Sequence, residues 1–249
     1  MSLLEIRDLG KSFEGRPIIR DISLDLEEGE TLALLGDSGV GKSTLFNVIA
    51  GFLQPDRGDI LLDGRSILGQ TGHFSYMLQK DLLLPHMKIV DNVSLPLRIR
   101  GLAKKEAREK ANPYFREFGL EGTQTFYPAQ LSGGMRQRAA FLRTYLAEGR
   151  IMLLDEPFSA LDGVTKKDLI TWYREAKDHF HLTTLFITHD IEEALLLADE
   201  ILLLQGKPGT ISRRFRPNLV KREGMELEED FFRQKTEIIT CFQEGYSVK

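Results

Sequence analysis

Thr31-Leu32-Ala33-Leu34-Leu35-Gly36-Asp37-Ser38-Gly39-Val40-Gly41-Lys42-Ser43-Thr44 is the stretch that decides the fold. Thr31 to Leu35 reads as a buried strand running into a glycine loop, and Lys42 to Ala50 as the helix that follows. Glycines at 39 and 41 let the backbone come close to phosphate oxygens and aim N–H groups at them, and the helix adds its positive N-terminal end. Lys42 is placed to reach the β- and γ-phosphates, and Ser43 to offer a hydroxyl to Mg²⁺. Gly36 to Thr44 is therefore expected to cradle a nucleoside triphosphate.

Working outward, short apolar runs alternate with longer helical patterns, which predicts an α/β architecture. Asp59 to Leu62, Phe74 to Leu78, Ile151 to Leu154, Thr184 to Thr188 and Ile201 to Leu204 are further strand candidates. Leu3 to Leu26 alternates more and is broken by Gly15-Arg16-Pro17, so an antiparallel sheet beside a parallel core is expected. From Asp81 to about Leu146 strand runs give way to helix-compatible spacing, as in Ala107, Ala111, Phe115 and Phe118. Asn112-Pro113 predicts an N-cap and first helical residue, hence a kink or a fresh helix start. Phe231, Phe232, Lys235, Ile238, Ile239 and Phe242 recur at roughly helical spacing and predict a terminal helix lying on the core.

The chain has 249 residues, enough for one large domain or a core with a smaller lobe. With 33 Lys and Arg against 37 Asp and Glu the net charge is −4, which gives no footprint for non-specific nucleic-acid binding. The single cysteine, Cys241, excludes an internal disulfide and a cysteine-rich zinc site. The first residues are charged at once, with no basic-then-apolar signal region. No run approaches the roughly 18 apolar residues of a membrane helix, so no spanning segment is expected.

Two further stretches carry chemistry. Ile151-Met152-Leu153-Leu154-Asp155-Glu156 is a buried strand ending in two acids. Asp155 is expected to bind Mg²⁺, through water, and Glu156 to polarise the attacking water as general base. Leu131-Ser132-Gly133-Gly134-Met135 is a turn of small residues followed by Gln137-Arg138.

Gly36 to Ser43, Gln79, Leu131 to Met135, Asp155-Glu156, Ser159-Ala160-Leu161-Asp162 and Thr188-His189-Asp190 together resemble the ATP-binding cassette ATPases. The resemblance spans Leu3 to about Arg213. It implies an α/β P-loop NTPase fold: a RecA-like parallel core with an antiparallel β subdomain and an inserted α-helical subdomain. The core would take 1–80 and 147–215, the helical subdomain 81–146 and a helical tail 216–249, all within one ATPase domain.

By the same resemblance, Ser132, Gly133 and Gly134 bind the γ-phosphate held by a second copy of the chain, in a head-to-tail dimer around two ATP. His189 becomes the switch histidine at the γ-phosphate. Phe13 stacks on adenine, Gln79 ligates Mg²⁺ or its water and links core to lobe, and Asp162 ends a loop facing the opposite subunit.

A finer likeness is to importer ATPases for nitrate, sulfonate, taurine and thiamine-precursor pyrimidines. Tyr76 to Pro85, Asp91-Asn92-Val93, Leu131 to Arg138, Asp155 to Asp162 and Thr188 to Ala194 carry it. Leu78 stands where a Phe is usual, His86 where Trp is common, Thr144-Tyr145 for a small residue plus Leu, and Gly149 for Pro.

The implied role is the ATP-hydrolysing subunit of an importer at the cytoplasmic face of the membrane. Its partners would be a permease subunit and a separate extracytoplasmic solute-binding protein, with no nucleic acid. A cassette ATPase in cluster assembly, repair or translation shares every nucleotide motif and stays open here. The apolar segment Asp81 to Met87, with Leu83 and His86, is the expected permease-docking surface.

Overall fold

The computed structural model describes residues 2–217 and 225–247. The chain divides into two units, Met1–Thr71 with Thr183–Lys249 and Gly72–Leu182.

The first unit holds two sheets. β1 (Leu4–Phe13), β2 (Arg16–Leu26), β4 (Arg57–Leu62) and β5 (Arg65–Ser66) form an antiparallel sheet in the order β2-β1-β4-β5. Leu4, Ile6, Leu9, Ile22, Leu24 and Ile60 turn one face inward while charged residues hold the other, the alternation expected of a half-buried antiparallel sheet. Glu14 and Gly15, both at positive φ, make the two-residue turn between β1 and β2.

The second sheet has β3 (Thr31–Gly36) flanked in parallel by β8 (Thr184–Thr188) and β9 (Glu200–Gln205), with β10 (Thr210–Phe215) antiparallel at the edge beside β9. Every residue of β3 and β8 is buried. An uninterrupted apolar strand of this kind belongs at the centre of a sheet covered on both faces. α1 (Lys42–Ile49) follows β3, and α8 (Ile191–Leu197) follows β8.

Of the tail expected over 216–249, residues 218–224 and 248–249 lie outside the described part, and α9 (Met225–Ser247) is the described helix. It lies on this unit. Ile238 is fully buried, Lys235 Nζ donates to Glu192 Oε1 at 2.6 Å, and Gln205 Nε2 donates to the Cys241 carbonyl at 3.2 Å. Phe232, by contrast, points to solvent.

The second unit pairs β6 (Phe74–Met77) in parallel with β7 (Ile151–Asp155). Between them run α2 (Ile89–Val93), α3 (Leu95–Ile99), α4 (Lys104–Ala111), α5 (Tyr114–Glu117) and α6 (Gly133–Tyr145), and after β7 comes α7 (Gly163–Phe180). Ala107, Ala111, Phe115 and Phe118 are all buried, as their spacing predicts. Phe118 and Phe141 meet Trp172 at ring-centroid distances of 5.2 and 5.6 Å, and Phe141 meets Tyr173 at 5.5 Å, which ties α6 to α7.

The expected helix start at Asn112-Pro113 needs one correction. Asn112 keeps helical dihedrals and closes α4, its carbonyl accepting the Phe115 N–H at 3.2 Å, so Pro113 caps and α5 begins at Tyr114. Proline's fixed φ suits both roles, and the chain turns without needing the asparagine side chain.

Candidate functional site

In the first unit the glycine loop joins β3 to α1. Gly36 has no room for a side chain, because a Cβ there would stand 2.5 Å from the Leu204 carbonyl of the neighbouring strand. Gly41 sits at φ 109°, and a Cβ would meet Ile19 Cγ2 at 2.6 Å. These contacts set the loop's path. Inside it the buried Lys42 ammonium donates to the Gly36 carbonyl at 2.6 Å and the Asp37 carbonyl at 2.9 Å. The loop therefore curls around its own cation.

Asp37, Ser38, Gly39 and Ser43 are exposed, Thr44 half-buried and Val40 buried. The N–H groups of the first helical turn have no acceptors within the helix, and they make the loop an anion cradle. Phe13, at the end of β1, is exposed with Lys11 Nζ 5.5 Å from its ring centroid. His189 is exposed in the short link between β8 and α8, where Asp190 caps the helix.

In the second unit β7 delivers Asp155 and Glu156. Glu156 adopts φ 46°, the left-handed region that costs a non-glycine residue free energy and persists where surrounding structure enforces it. The enforcing bonds are visible. Gln79 Nε2 donates to Glu156 Oε2 at 3.2 Å and to Ser159 Oγ at 3.3 Å, while Ser159 Oγ donates to the Glu156 carbonyl at 3.0 Å. Gln79 and Glu156 are thus brought together as one cluster with Ser159. Burial, with the Asp155 charge second, pushes the neighbouring Tyr76 phenol well above its usual range, so it stays a neutral donor beside the strand end.

The serine–glycine turn lies in the same unit. Ser132 caps α6 and its hydroxyl accepts the Met135 N–H at 3.3 Å. Ser132 is exposed and Gly133 half-buried, whereas Gly134 is buried, with Thr165 Cγ2 only 2.7 Å from where a Cβ would lie. Asp162 caps α7, accepting the N–H groups of Val164 at 3.2 Å and Thr165 at 3.1 Å. Hydrogen bonds from Thr165, then Val164, hold its carboxyl below the usual range.

Several residues that position this site carried no assigned role in the sequence. Gln137, on the buried face of α6, donates its amide to the Pro157 carbonyl just after the Asp155-Glu156 pair. Arg136 Nε reaches Asp81 Oδ2 at 3.3 Å and its NH1 the Leu131 carbonyl at 2.9 Å. Arg143 donates to the carbonyls of Asp81 and Leu82. The available signal was a polar residue, Gln137, on a helix face shared with Ala140, Phe141 and Thr144.

The expected docking segment is corrected at one residue. Leu83 is 7% exposed and belongs to the core, while Leu82 is 51% exposed and Pro85 and His86 face solvent.

Among the described residues no three His, Cys, Asp or Glu side chains gather into a metal cluster. Ser43 in the first unit offers a hydroxyl, and Asp155 and Gln79 in the second a carboxylate and an amide, each an oxygen donor of the kind Mg²⁺ takes. No helix among the described residues is long and apolar enough to cross a membrane.

A strand, glycine loop and helix with a buried loop lysine define a P-loop nucleotide-binding protein. Residues 19–159 match the family model described as ABC transporter, and the chain belongs to that family and is one of its ATPases. It is 44% identical over 224 residues to the formylaminopyrimidine import ATP-binding protein ThiZ of Halalkalibacterium halodurans, covering 89% of this chain and 87% of that one. It is 41% identical over 231 residues to the taurine import ATP-binding protein TauB of Pseudomonas aeruginosa, covering 89% and 86%. The solved dimer of the ATP-binding cassette MJ0796 in a post-hydrolysis state, bound to ADP and Pi, superposes with a TM-score of 0.72 at 26% identity, covering 86% of this chain and 99% of that one.

Proposed function

We propose that this chain is the ATP-hydrolysing subunit of an importer, working as a head-to-tail dimer around two MgATP and driving a separate permease at the cytoplasmic face of the membrane. The import functions carried in the names of the relatives support this over a role in cluster assembly, repair or translation. The solute in this reading is a small organic or inorganic anion, such as a sulfonate, taurine or nitrate, or a thiamine-precursor pyrimidine, and the taurine and formylaminopyrimidine in the relatives' names support that range. A separate solute-binding protein would deliver it.

In this reading Phe13 stacks on adenine, residues 36–44 hold the phosphates, and Ser43, Asp155 and Gln79 hold Mg²⁺, which supplies charge neutralisation at the phosphates when bound. Lys42 exchanges its carbonyl bonds for phosphate oxygens. Glu156 takes the proton of the attacking water, and His189 contacts the γ-phosphate. Ser132, Gly133 and Gly134 bind the nucleotide of the other copy. Leu82, Pro85 and His86 meet the permease, with Gln79 linking that segment to the nucleotide.

The observation that carries the proposal is Glu156, directly after Asp155, its strained backbone tied by Ser159 and its carboxylate held by Gln79. Glu156→Gln removes the base and keeps the shape. Steady-state hydrolysis should fall by roughly 10²–10⁴-fold, while MgATP still binds and the ATP-bound dimer accumulates on a sizing column. Near wild-type turnover in this variant rejects the assignment.

A further inference from the structure

Thr188, the last residue of β8, is 1% exposed, and Glu193, in the first turn of α8, is 2% exposed. The Thr188 hydroxyl donates to Glu193 Oε2 and accepts the Asp190 N–H at 3.0 Å. Asp190 Oδ1 in turn accepts the N–H groups of Glu192 at 2.8 Å and Glu193 at 3.3 Å. The bonds run from carboxylate to hydroxyl to backbone and back to the carboxylate's own residue, a closed ring of side-chain and main-chain groups. One residue, His189, lies between Thr188 and Asp190 in the chain, and it is exposed.

Capping explains only half of this ring. Asp190 alone satisfies the first N–H groups of α8, as N-cap aspartates do. The carboxylate of Glu193 is buried, which is costly unless it gains hydrogen bonds, and the Thr188 hydroxyl supplies one. A leucine would serve packing better on a helix whose Ala194, Leu195 and Leu197 are already buried. What Glu193 does is fix the rotamer of Thr188, and through the hydroxyl the direction of the Asp190 N–H. Those two groups set the backbone on either side of His189.

We propose that Glu193 is a positioning residue for His189: with Thr188 it holds the histidine's backbone so that the imidazole points outward from the end of β8. The proposal rests on the reading of His189 as a γ-phosphate contact for its catalytic consequence, but not for its geometry.

The test uses the full chain and four variants: Thr188→Val, Thr188→Ser, Glu193→Leu and Glu193→Gln. The first readout is the ring ¹H–¹³Cε1 resonance of His189, one of five histidines in the chain, identified by its loss in His189→Ala. Thr188→Val and Glu193→Leu should shift or broaden it. Thr188→Ser and Glu193→Gln keep a donor and an acceptor, and should leave it close to the wild-type position.

The second readout is steady-state ATP hydrolysis. Thr188→Val should lower kcat roughly 10- to 100-fold, the scale of a misplaced catalytic group, with KM for ATP within about two-fold and Thr188→Ser recovering most of the rate. An unchanged His189 resonance in Thr188→Val overturns the proposal. Thr188→Val is nearly isosteric and β-branched, so it carries the test if Glu193→Leu fails to fold. A moved resonance together with full turnover in both Thr188→Val and His189→Ala upholds the positioning and rejects the role assigned to His189.

Discussion

Leu82 and Leu83 are neighbours with the same side chain, and the structure gives them opposite surroundings. The hydropathy of Leu82-Leu83-Leu84 is uniform, so sequence shows that the segment is apolar and cannot show which leucine turns inward. The choice is made by polar groups elsewhere. Asp81 Oδ1 accepts the Leu83 N–H at 3.1 Å, and Asn92 binds both N–H and carbonyl of Leu84 and the carbonyls of Met87 and Lys88. Leu82 is left at φ 44° and exposed.

Substituting Leu83 by Glu should therefore destabilise the fold by about 3 kcal/mol, through an unpaired buried carboxylate. Leu82→Glu and His86→Glu should stay within about 0.5 kcal/mol of wild type, and on the reading above both should lose co-purification with the permease. Urea unfolding and pull-down separate these outcomes. A folded Leu83→Glu protein of normal stability would contradict its burial, and permease binding by both exposed variants would place the contact elsewhere.

Residues of the glycine loop were legible for a reason of their own. Gly36, Gly41 and Lys42 are dictated by contacts within a few residues or with one adjacent strand, so their spacing is a local signature. Gln137, Thr188 and Glu193 act through partners that only folding supplies. Their residue types are compatible with an exposed helix or strand end, and nothing in their spacing separates the two cases.

At the scale of elements, α2 and α4 are joined by an ion pair that no pattern announced. Asp91 is buried, and Arg108 grips it with Nε to Oδ1 at 2.8 Å and NH2 to Oδ2 at 2.7 Å. The hydrogen bond and charge of Arg108 hold the Asp91 carboxyl below its usual range. A two-pronged pair of this kind is stronger than a surface contact. Arg108→Ala should cost about 2 kcal/mol near neutral pH.

The sign of the pH dependence follows from the lowered value. The contribution is present above the unfolded carboxyl range, near pH 4, and is lost as pH falls through the depressed folded value. The gap between wild type and Arg108→Ala should stay constant from about pH 7 to pH 5 and close in more acid solution. A gap that widens on acidification would contradict the pairing. The parallel strands β3, β7, β8 and β9 were legible because buried parallel strands read as nearly unbroken apolar runs, whereas β5 and β10, short or polar, were not. The helical stretch was readable as helical, but its division into five short helices was not. The break at Asn112-Pro113 was announced by its proline, one residue off, whereas the turn at Ser94 carried no such signal in the sequence.

For the whole molecule, the proposed dimer makes a prediction that a monomer cannot. In that dimer Lys42 would serve its own nucleotide, and Ser132 the partner's. Lys42→Ala and Ser132→Arg homodimers would each have two damaged sites. A mixed dimer would have one intact site and one doubly damaged. Mixing the two inactive proteins should restore partial hydrolysis, up to about half of the wild-type rate per mixed dimer if sites turn over independently. No recovery, with mixed dimers confirmed by differential tagging, would argue that each chain completes its own site or that both sites must fire together. A crystal structure of the ATP-bound Glu156→Gln protein separates these, since Ser132 should then sit against the partner's γ-phosphate.

The division of the chain also bears on how the protein is made. The unit that carries the glycine loop is assembled from residues at both ends, with Gly72–Leu182 folded as a continuous stretch between them. β3 pairs with β8 and β9, Thr31 opposite Thr184 and Leu32 opposite Glu200. On a translating ribosome the glycine loop therefore emerges and waits, its supporting strand without either flanking partner until residues 184–204 have followed. The continuous unit has no such delay, because domains fold as units once their residues are available. Nascent chains stalled after residue 182 should already resist protease over 72–182, while the glycine loop stays cleavable until β9 has left the tunnel. The glycine loop thus gains its support only from strands synthesised well after the loop itself.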